Sequence, residues 1–207
     1  MNVMLINGSP REHGCTFTAL TEVAGALESR GIETNFFQIG KQPIRGCIAC
    51  RGCHGKNFCL YQEDIVNDCI SRMQKADGVV IGSPVYYSSP NGALLALLDR
   101  AFYAGGEMMA YKPGAAVVSC RRGGAASAFD MLNKYFTISN MPVVSSQYWN
   151  AVHGNTPEEV KQDLEGLQVM RVLGRNMAWL LECIDAAKGT VPLPEQESVR
   201  QRTNFIR

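Results

Sequence analysis

Between residues 47 and 59 the chain reads CIACRGCHGKNFC, and four of its eight cysteines fall in that stretch. Thiolates are nucleophiles, redox centres and soft metal ligands, so a group this dense implies one of those chemistries. The spacing is C-x2-C-x2-C-x5-C over Cys47, Cys50, Cys53 and Cys59. Zinc-binding sequences usually separate two close pairs by about a dozen residues or more. C-x2-C-x2-C is instead the spacing with which ferredoxin loops wrap three irons of a [4Fe–4S] cube, and Cys59 can supply the fourth ligand locally. Gly46, Gly52 and Gly55 give the loop freedom to curl. A cube, a loop of free or partly oxidised thiols, and zinc are the open readings. His54 lies inside the loop, but four thiolates already complete a cube.

Three other segments carry binding chemistry. NGSPREHGCT (residues 7–16) has Gly8 and Gly14 for unusual backbone conformations, and Ser9, Arg11 and Thr16 as donors. It leads into a helical pattern, whose free N–H groups and dipole favour an anion, so it reads as a phosphate cradle. It is neither a P-loop nor a GxGxxG fingerprint, which weakens classical ATP and NAD readings. SPVYYSSPNG (83–92) is a stiff loop with two tyrosines, whose backbone could meet the edge of a planar heterocycle while Tyr86 or Tyr87 flanks its face. SCRRGGAAS (119–127) combines Arg121 and Arg122 with Gly123 and Gly124 before a helix. Each alone is also an ordinary turn. Together they fit one planar, phosphorylated ligand, and a mononucleotide flavin meets that description. No Ser/His/Asp arrangement or paired-carboxylate motif stands out, so the chemistry falls to cofactors.

The elements around these loops alternate. Segments 3–7, 34–39, 78–83, 115–120 and 142–149 read as strands, and a continuous apolar run such as 3–7 as one buried on both faces. Helical spacing follows at 16–30, 63–75, 92–102, 125–138 and 157–187, with Gly166 and Gly174 as candidate bend points in the last. Five such units predict a parallel sheet with helices on both faces. In an open α/β sheet ligands sit beyond the carboxyl ends of the strands, which brings the three loops to one edge. The cysteine loop follows the second strand and is expected on that edge too.

The chain has 207 residues, 46% hydrophobic and 19% charged, with a net charge of +1. That fits one globular domain, expected over residues 1–188 with the cysteine loop at 46–60, and an extended C-terminal arm over 189–207. Near-neutral charge gives no indication of nucleic acid or an anionic membrane as partner. The first residues lack a signal-peptide pattern, and no apolar run approaches the length of about eighteen that spans a membrane, so a cytoplasmic location is expected. In a reducing cytosol, clustered cysteines read as metal-binding or redox-active. Cys15, Cys69, Cys120 and Cys183 stand alone and are expected as small buried hydrophobes.

With these residues in view, the chain resembles the NAD(P)H-dependent FMN reductase group of the flavodoxin-like superfamily. GSPREHGCT resembles its phosphate loop, SPVYYSSPNGALLALLDR its flavin-ring loop and following helix, and CRRGG and QYWNAVHG further elements. The four-cysteine loop sits where the iron–sulfur flavoprotein branch carries its compact cluster motif. The likeness runs from Met1 to about residue 185. It implies a flavodoxin-like, doubly wound, five-stranded parallel sheet of order 2-1-3-4-5. Ser9, Arg11 and Thr16 match the group's phosphate-binding positions, Cys15, Phe17 and Thr18 are expected to bind the cofactor beside them, and Pro84, Val85, Tyr86, Tyr87 and Ser88 match the flavin-ring loop. Ser119, Arg121, Gly123 and Gly124 match the third loop. Cys15 departs from the family's usual Asn, and Leu95 from its frequent Lys.

The resemblance implies FMN as cofactor, a [4Fe–4S] cluster on Cys47, Cys50, Cys53 and Cys59, and NAD(P)H as a candidate electron donor. The leading expectation is a flavin-dependent oxidoreductase exchanging electrons between FMN and the cluster. The alternatives are an NAD(P)H-dependent FMN or quinone reductase without a cluster, and a zinc-stabilised binding module. The expected partners are a redox protein or a small-molecule electron acceptor, and a second or fourth copy of the chain in a homodimer or homotetramer.

Overall fold

The structure, a computed structural model, describes residues 1–195 together with 197, 199, 201, 203 and 205. Strand β1 (Asn2–Asn7) is apolar at four successive positions, and every residue from Val3 onward is buried. It pairs in parallel with β2 (Glu33–Gln38) on one side and β3 (Gly78–Tyr86) on the other, with Leu5 opposite Phe36 and Val80. A two-residue strand β4 (Ser89–Pro90) folds back antiparallel on β3, which β5 (Gly114–Cys120) and β6 (Ala151–His153) follow. The sheet order is β2-β1-β3-β5-β6, so its parallel strands follow the predicted 2-1-3-4-5.

Side-chain alternation gives the sheet two cores. Met4, Ile6, Val79, Ile81, Ala116 and Val118 face α2 (Val66–Lys75), α3 (Gly92–Gly105) and α4 (Ala125–Ile138). Val3, Leu5, Val80, Ala115 and Val117 face α1 (Cys15–Glu28) and α6 (Leu164–Ala187). The α1–α6 contact is close because Gly174 has no side chain: a Cβ there would lie 2.6 Å from Ala26 Cβ and 2.7 Å from Val23 O.

Three local expectations are corrected. The fifth strand is Ala151–His153, not residues 142–149. That segment makes one isolated bridge, Val143 to Gly114. Gly114 N donates to Pro142 O (2.9 Å) and Val144 N to Gly114 O (2.8 Å), but beyond Val144 the segment turns to α6: Ser146 Oγ donates to Val169 O (2.7 Å), and Ser145 O accepts from Asn176 Nδ2 (2.9 Å). Second, the helical pattern from Pro157 breaks into α5 (Pro157–Val160) and α6. The break is not at Gly166 or Gly174, both buried within α6; it lies before Asp163, which caps α6 by accepting from Gly166 N at 2.9 Å. Third, Cys183 is exposed, whereas Cys69 and Cys120 are buried and Cys15 is half-buried. Among the described residues no helix is long and apolar enough to cross a membrane. The expected arm over 189–207 falls partly outside the described residues; Val191 and Leu193, within them, are exposed.

Candidate functional site

At the carboxyl edge the loops after β1, β3 and β5 are tied together by named contacts. Asn7 ends β1. Its Oδ1 accepts from Ser9 N (3.2 Å), and its Nδ2 donates to Glu12 O (3.0 Å) and Gln38 Oε1 (2.6 Å). Gln38 Nε2 in turn donates to Ser9 O at 2.6 Å, and Ser9 Oγ accepts from Arg11 N at 3.1 Å. Gly8 packs so tightly that a Cβ would meet Leu94 Cδ2 at 2.4 Å and Gly82 O at 2.6 Å.

Buried Asn91, before α3, donates from Nδ2 to Gly8 O (2.8 Å) and accepts from Ala93 N (3.0 Å), joining the first loop to the second. Buried Thr16 and Ser119 share a 2.8 Å hydroxyl hydrogen bond, joining the first loop to the third. A Cβ on Gly124, whose φ is +86°, would lie 2.8 Å from Ser88 Cα, so the second and third loops also touch. The three loops therefore form one assembly. Asn7, Gln38 and Asn91 hold it and were not among the expected residues; polar side chains at strand ends and at a helix N-cap are the signal that could have found them.

The expected ligand-binding residues divide by what their side chains do. α1 starts at Cys15 behind Gly14, which offers no side-chain cap, and no acidic residue occupies its first turn. Its first N–H groups and positive end thus suit an anion. Arg11, Arg121, Arg122 and Gly123 are exposed at this edge. Phe17 packs its ring tilted at 5.0 Å against Phe36 and edge-on at 4.9 Å to His13, so the ring is engaged with these two side chains. Thr18 Oγ1 donates to Gly14 O at 3.2 Å. The Cys15 thiol, pushed up by burial, lies 3.7 Å from Gly154 O. Pro84 and Val85 are half-buried, and Tyr86 and Ser88 are exposed. Tyr87 stands wholly in solvent at 105% exposure. Tyr87 (φ 50°) and Ser88 (φ 61°) form the two-residue turn between β3 and β4. Such turns ordinarily use Asn-Gly, and left-handed bulky residues are strained.

The cysteine loop builds a second site. Ala49, Arg51, Gly55 and Asn57 all adopt positive φ, and Ala49 and Arg51 flank Cys50. The bends bring Cys47, Cys50, Cys53 and Cys59 to line one cavity with Ile48, Leu60, Tyr61, Arg100 and Tyr103. Burial pushes the Cys53 thiol up, and the nearby Cys59, Cys50 and Cys47 act in the same direction. Among the described residues no three His, Cys, Asp or Glu side chains are close enough to share a single metal ion. Four thiols lining one cavity are the donor set that a [4Fe–4S] cube takes. His54 is exposed and does not line the cavity.

The loop is anchored from two helices. Asn67 of α2 clamps Cys59, accepting from its N–H and donating to its carbonyl, both at 2.8 Å. Arg100 of α3, 2% exposed, donates to Cys59 Sγ (3.3 Å), Arg45 O (3.1 Å), Tyr61 O (2.9 Å) and the Asp64 carboxylate. Burial opposes its charge, but the contacts to Asp64 and Cys59 outweigh that and hold the guanidinium protonated. Arg45 in turn lies over the Tyr61 ring at 4.2 Å. The loop leaves β2 at the expected edge, but its cavity abuts Arg100 and Tyr103, roughly 12 Å or more along α3 from its start at that edge.

His153 has a half-exposed side chain whose Nδ1 lies 3.5 Å from the Asp163 carboxylate, a local contact of strand and helix cap.

The chain matches the NADPH-dependent FMN reductase family over residues 1–156. It is 32% identical over 192 residues to an iron–sulfur flavoprotein of Methanocaldococcus jannaschii, which covers 89% of this chain and 99% of that one. An archaeal flavodoxin superposes with a TM-score of 0.60 at 14% identity, over 88% of this chain and 99% of its own. An NAD(P)H:quinone oxidoreductase from Methanothermobacter marburgensis does so with a TM-score of 0.66 at 16% identity, over 86% and 96%. These two likenesses show the flavodoxin-like fold. The family match, a relative 32% identical along nearly its whole length and the sheet order agree: the chain belongs to the NADPH-dependent FMN reductase family and stands with its iron–sulfur flavoproteins.

Proposed function

We propose that the chain binds FMN at the three-loop edge and a [4Fe–4S] cluster in the cysteine cavity, and moves electrons between the two. One observation carries this reading: four cysteines line a single braced cavity on a chain whose three edge loops are hydrogen-bonded into one cradle. A bound flavin takes electrons singly or in pairs and a bound cluster takes one, so together they join two-electron to one-electron chemistry.

The residues have distinct tasks. The uncapped start of α1 with Ser9, Arg11, Cys15 and Thr16 receives the phosphate. Phe17 and Thr18 support that turn through their packing and hydrogen bonds. The backbone of residues 84–88 and of Gly123 and Gly124 meets the ring, Tyr86 and Tyr87 cover it, and Ser119 and Arg121 complete the third wall. Cys47, Cys50, Cys53 and Cys59 ligate iron, and interleaved left-handed residues supply the concave backbone found at many such sites. NAD(P)H is the proposed electron donor, in line with the family's description, and a redox protein or small molecule is the acceptor.

The protein acts as a homodimer or homotetramer, to which the exposed pair Tyr148 and Trp149 offers aromatic contact surface. Eight free cysteines suit a reducing, cytoplasmic setting.

Anaerobically purified protein is expected to contain FMN with iron and labile sulfide in a ratio of cubane stoichiometry. Flavin that NADPH bleaches, in protein without iron or sulfide, would assign the chain to the cluster-free FMN or quinone reductases. Zinc without flavin would assign it to the binding modules.

A further inference from the structure

A guanidinium that is 2% exposed must spend its donors on partners inside the protein. Arg100 spends three contacts on the frame of the cysteine loop: Arg45 O, Tyr61 O and the Asp64 carboxylate. The fourth contact is of another kind. Its Nε–H points at the sulfur of Cys59, at 3.3 Å. Cys59 is also the most buried of the four loop cysteines. A fixed positive charge and an N–H donor therefore meet the ligand sulfur that water reaches least.

Hydrogen bonds to ligand sulfurs, net charge and solvent exposure set the potential of an iron–sulfur cluster. Resting on the proposed cluster, we infer that Arg100 is a positioning residue that sets its reduction potential, raising it through the Nε–H to Cys59 Sγ hydrogen bond. The redox step is the transfer of one electron from reduced flavin to the cluster, and no bond to Arg100 is made or broken. The reduced cluster carries one more negative charge, so the guanidinium favours that state. Between the buried Arg100 and the buried Cys59 the attraction is weakly screened.

Asp64 acts in the opposite sense. Its carboxylate neutralises part of the guanidinium charge, while its Oδ1 separately accepts from Val66 N at 3.2 Å before α2. Asp64→Asn keeps a side-chain oxygen for that contact and removes the opposing charge. The pair of residues thus predicts two shifts of opposite sign, which simple loosening of the loop does not produce.

The test is an anaerobic, EPR-monitored redox titration of holoprotein for wild type, Arg100→Gln, Arg100→Lys and Asp64→Asn, with iron, sulfide and FMN counted in each. Arg100→Gln is expected to change the reduced-to-oxidised ratio at fixed poise by about tenfold toward oxidised, which is about 59 mV for a one-electron couple. Arg100→Lys, which keeps the charge without the fork, falls between. Asp64→Asn moves the ratio toward reduced. Should Arg100→Gln fail to load iron, opposite shifts in Arg100→Lys and Asp64→Asn carry the inference. Loaded variants with an unmoved midpoint, or with shifts of the same sign, overturn it. Wild-type protein with FMN but no iron overturns the cluster reading, and this inference with it.

Discussion

Asn91 is one amide on which two loops depend, so its replacement has a magnitude that can be worked out. Its Oδ1 accepts from Ala93 N at the start of α3, and its Nδ2 donates to Gly8 O. Losing a helix cap costs about 1 kcal/mol. Leaving a buried carbonyl without a partner costs about 1–3 kcal/mol. Asn91→Ala loses both, about 2–4 kcal/mol together; Asn91→Ser retains a capping oxygen and loses only the link to Gly8. For a chain of this length each kcal/mol moves the melting midpoint by about 2–4 °C, so Asn91→Ala should melt about 4–16 °C below wild type. Asn91→Ser should fall between the two. Urea unfolding of the flavin-free protein gives the free energies, and quenching of FMN fluorescence gives the affinity. Both variants should bind FMN more weakly, because the freed Gly8 carbonyl releases the turn that holds Ser9. An Asn91→Ser protein as stable and as tight for FMN as wild type, beside a weakened Asn91→Ala, would show that only the cap matters and that the loops are not coupled through this residue.

Further outcomes are expected. Cys50→Ser should lose the iron–sulfur absorption of anaerobic protein while keeping FMN; a simultaneous loss of FMN would tie the two sites more closely than their separate anchors imply. Gly8→Ala should destabilise by about 1–3 kcal/mol, since its Cβ meets the Gly82 carbonyl as well as Leu94, and chemical unfolding would detect it. Tyr87→Asn should stabilise flavin-free protein by about 0.5–1 kcal/mol by easing the left-handed turn, and weaken FMN binding by fluorescence titration; unchanged affinity would remove Tyr87 from the ring site. Burial pushes the Cys69 thiol far up and that of Cys120 up as well, so the folded protein keeps protons that the unfolded chain releases. Stability should be full below the ordinary thiol pKa of about 8.5 and fall as pH rises past it, by up to about 1.4 kcal/mol per pH unit for each thiol. Unfolding free energies measured across that window should fall less steeply in Cys69→Ala, and an equal slope would contradict the assignment.

What could be read in the chain alone follows its periodicities. The runs at 3–7, 78–83 and 115–120 are apolar because both faces of a parallel strand are covered, and no other element reads that way at such length. Residues 142–149 carry the same β-propensity, yet Pro142 and Val144 bond the sheet only at Gly114, while Ser145 and Ser146 turn to Asn176 and Val169, partners far along the chain that no local pattern reveals. The turn at Tyr87 and Ser88 was hidden for a different reason: its residues are the wrong ones for its geometry, so turn chemistry points elsewhere. The cysteine spacing pointed to the four residues that line one cavity but not to Arg100. That arginine sits among LLALLDRAF, where helical spacing reads it as an ordinary polar position, and only the return of the loop onto α3 buries it.

The two-faced sheet confines the cysteine loop to one of its cores. The cysteine loop, through Cys59, Ile44, Cys53 and Tyr61, joins only the core made with α2, α3 and α4. The core under α1 and α6 contains none of it. Opening of residues 44–61 is therefore a local event that leaves the protection of α1 and α6 against hydrogen exchange intact. An inherited chain could gain, lose or reshape its cysteine loop while the α1 and α6 face of the sheet went on folding unchanged.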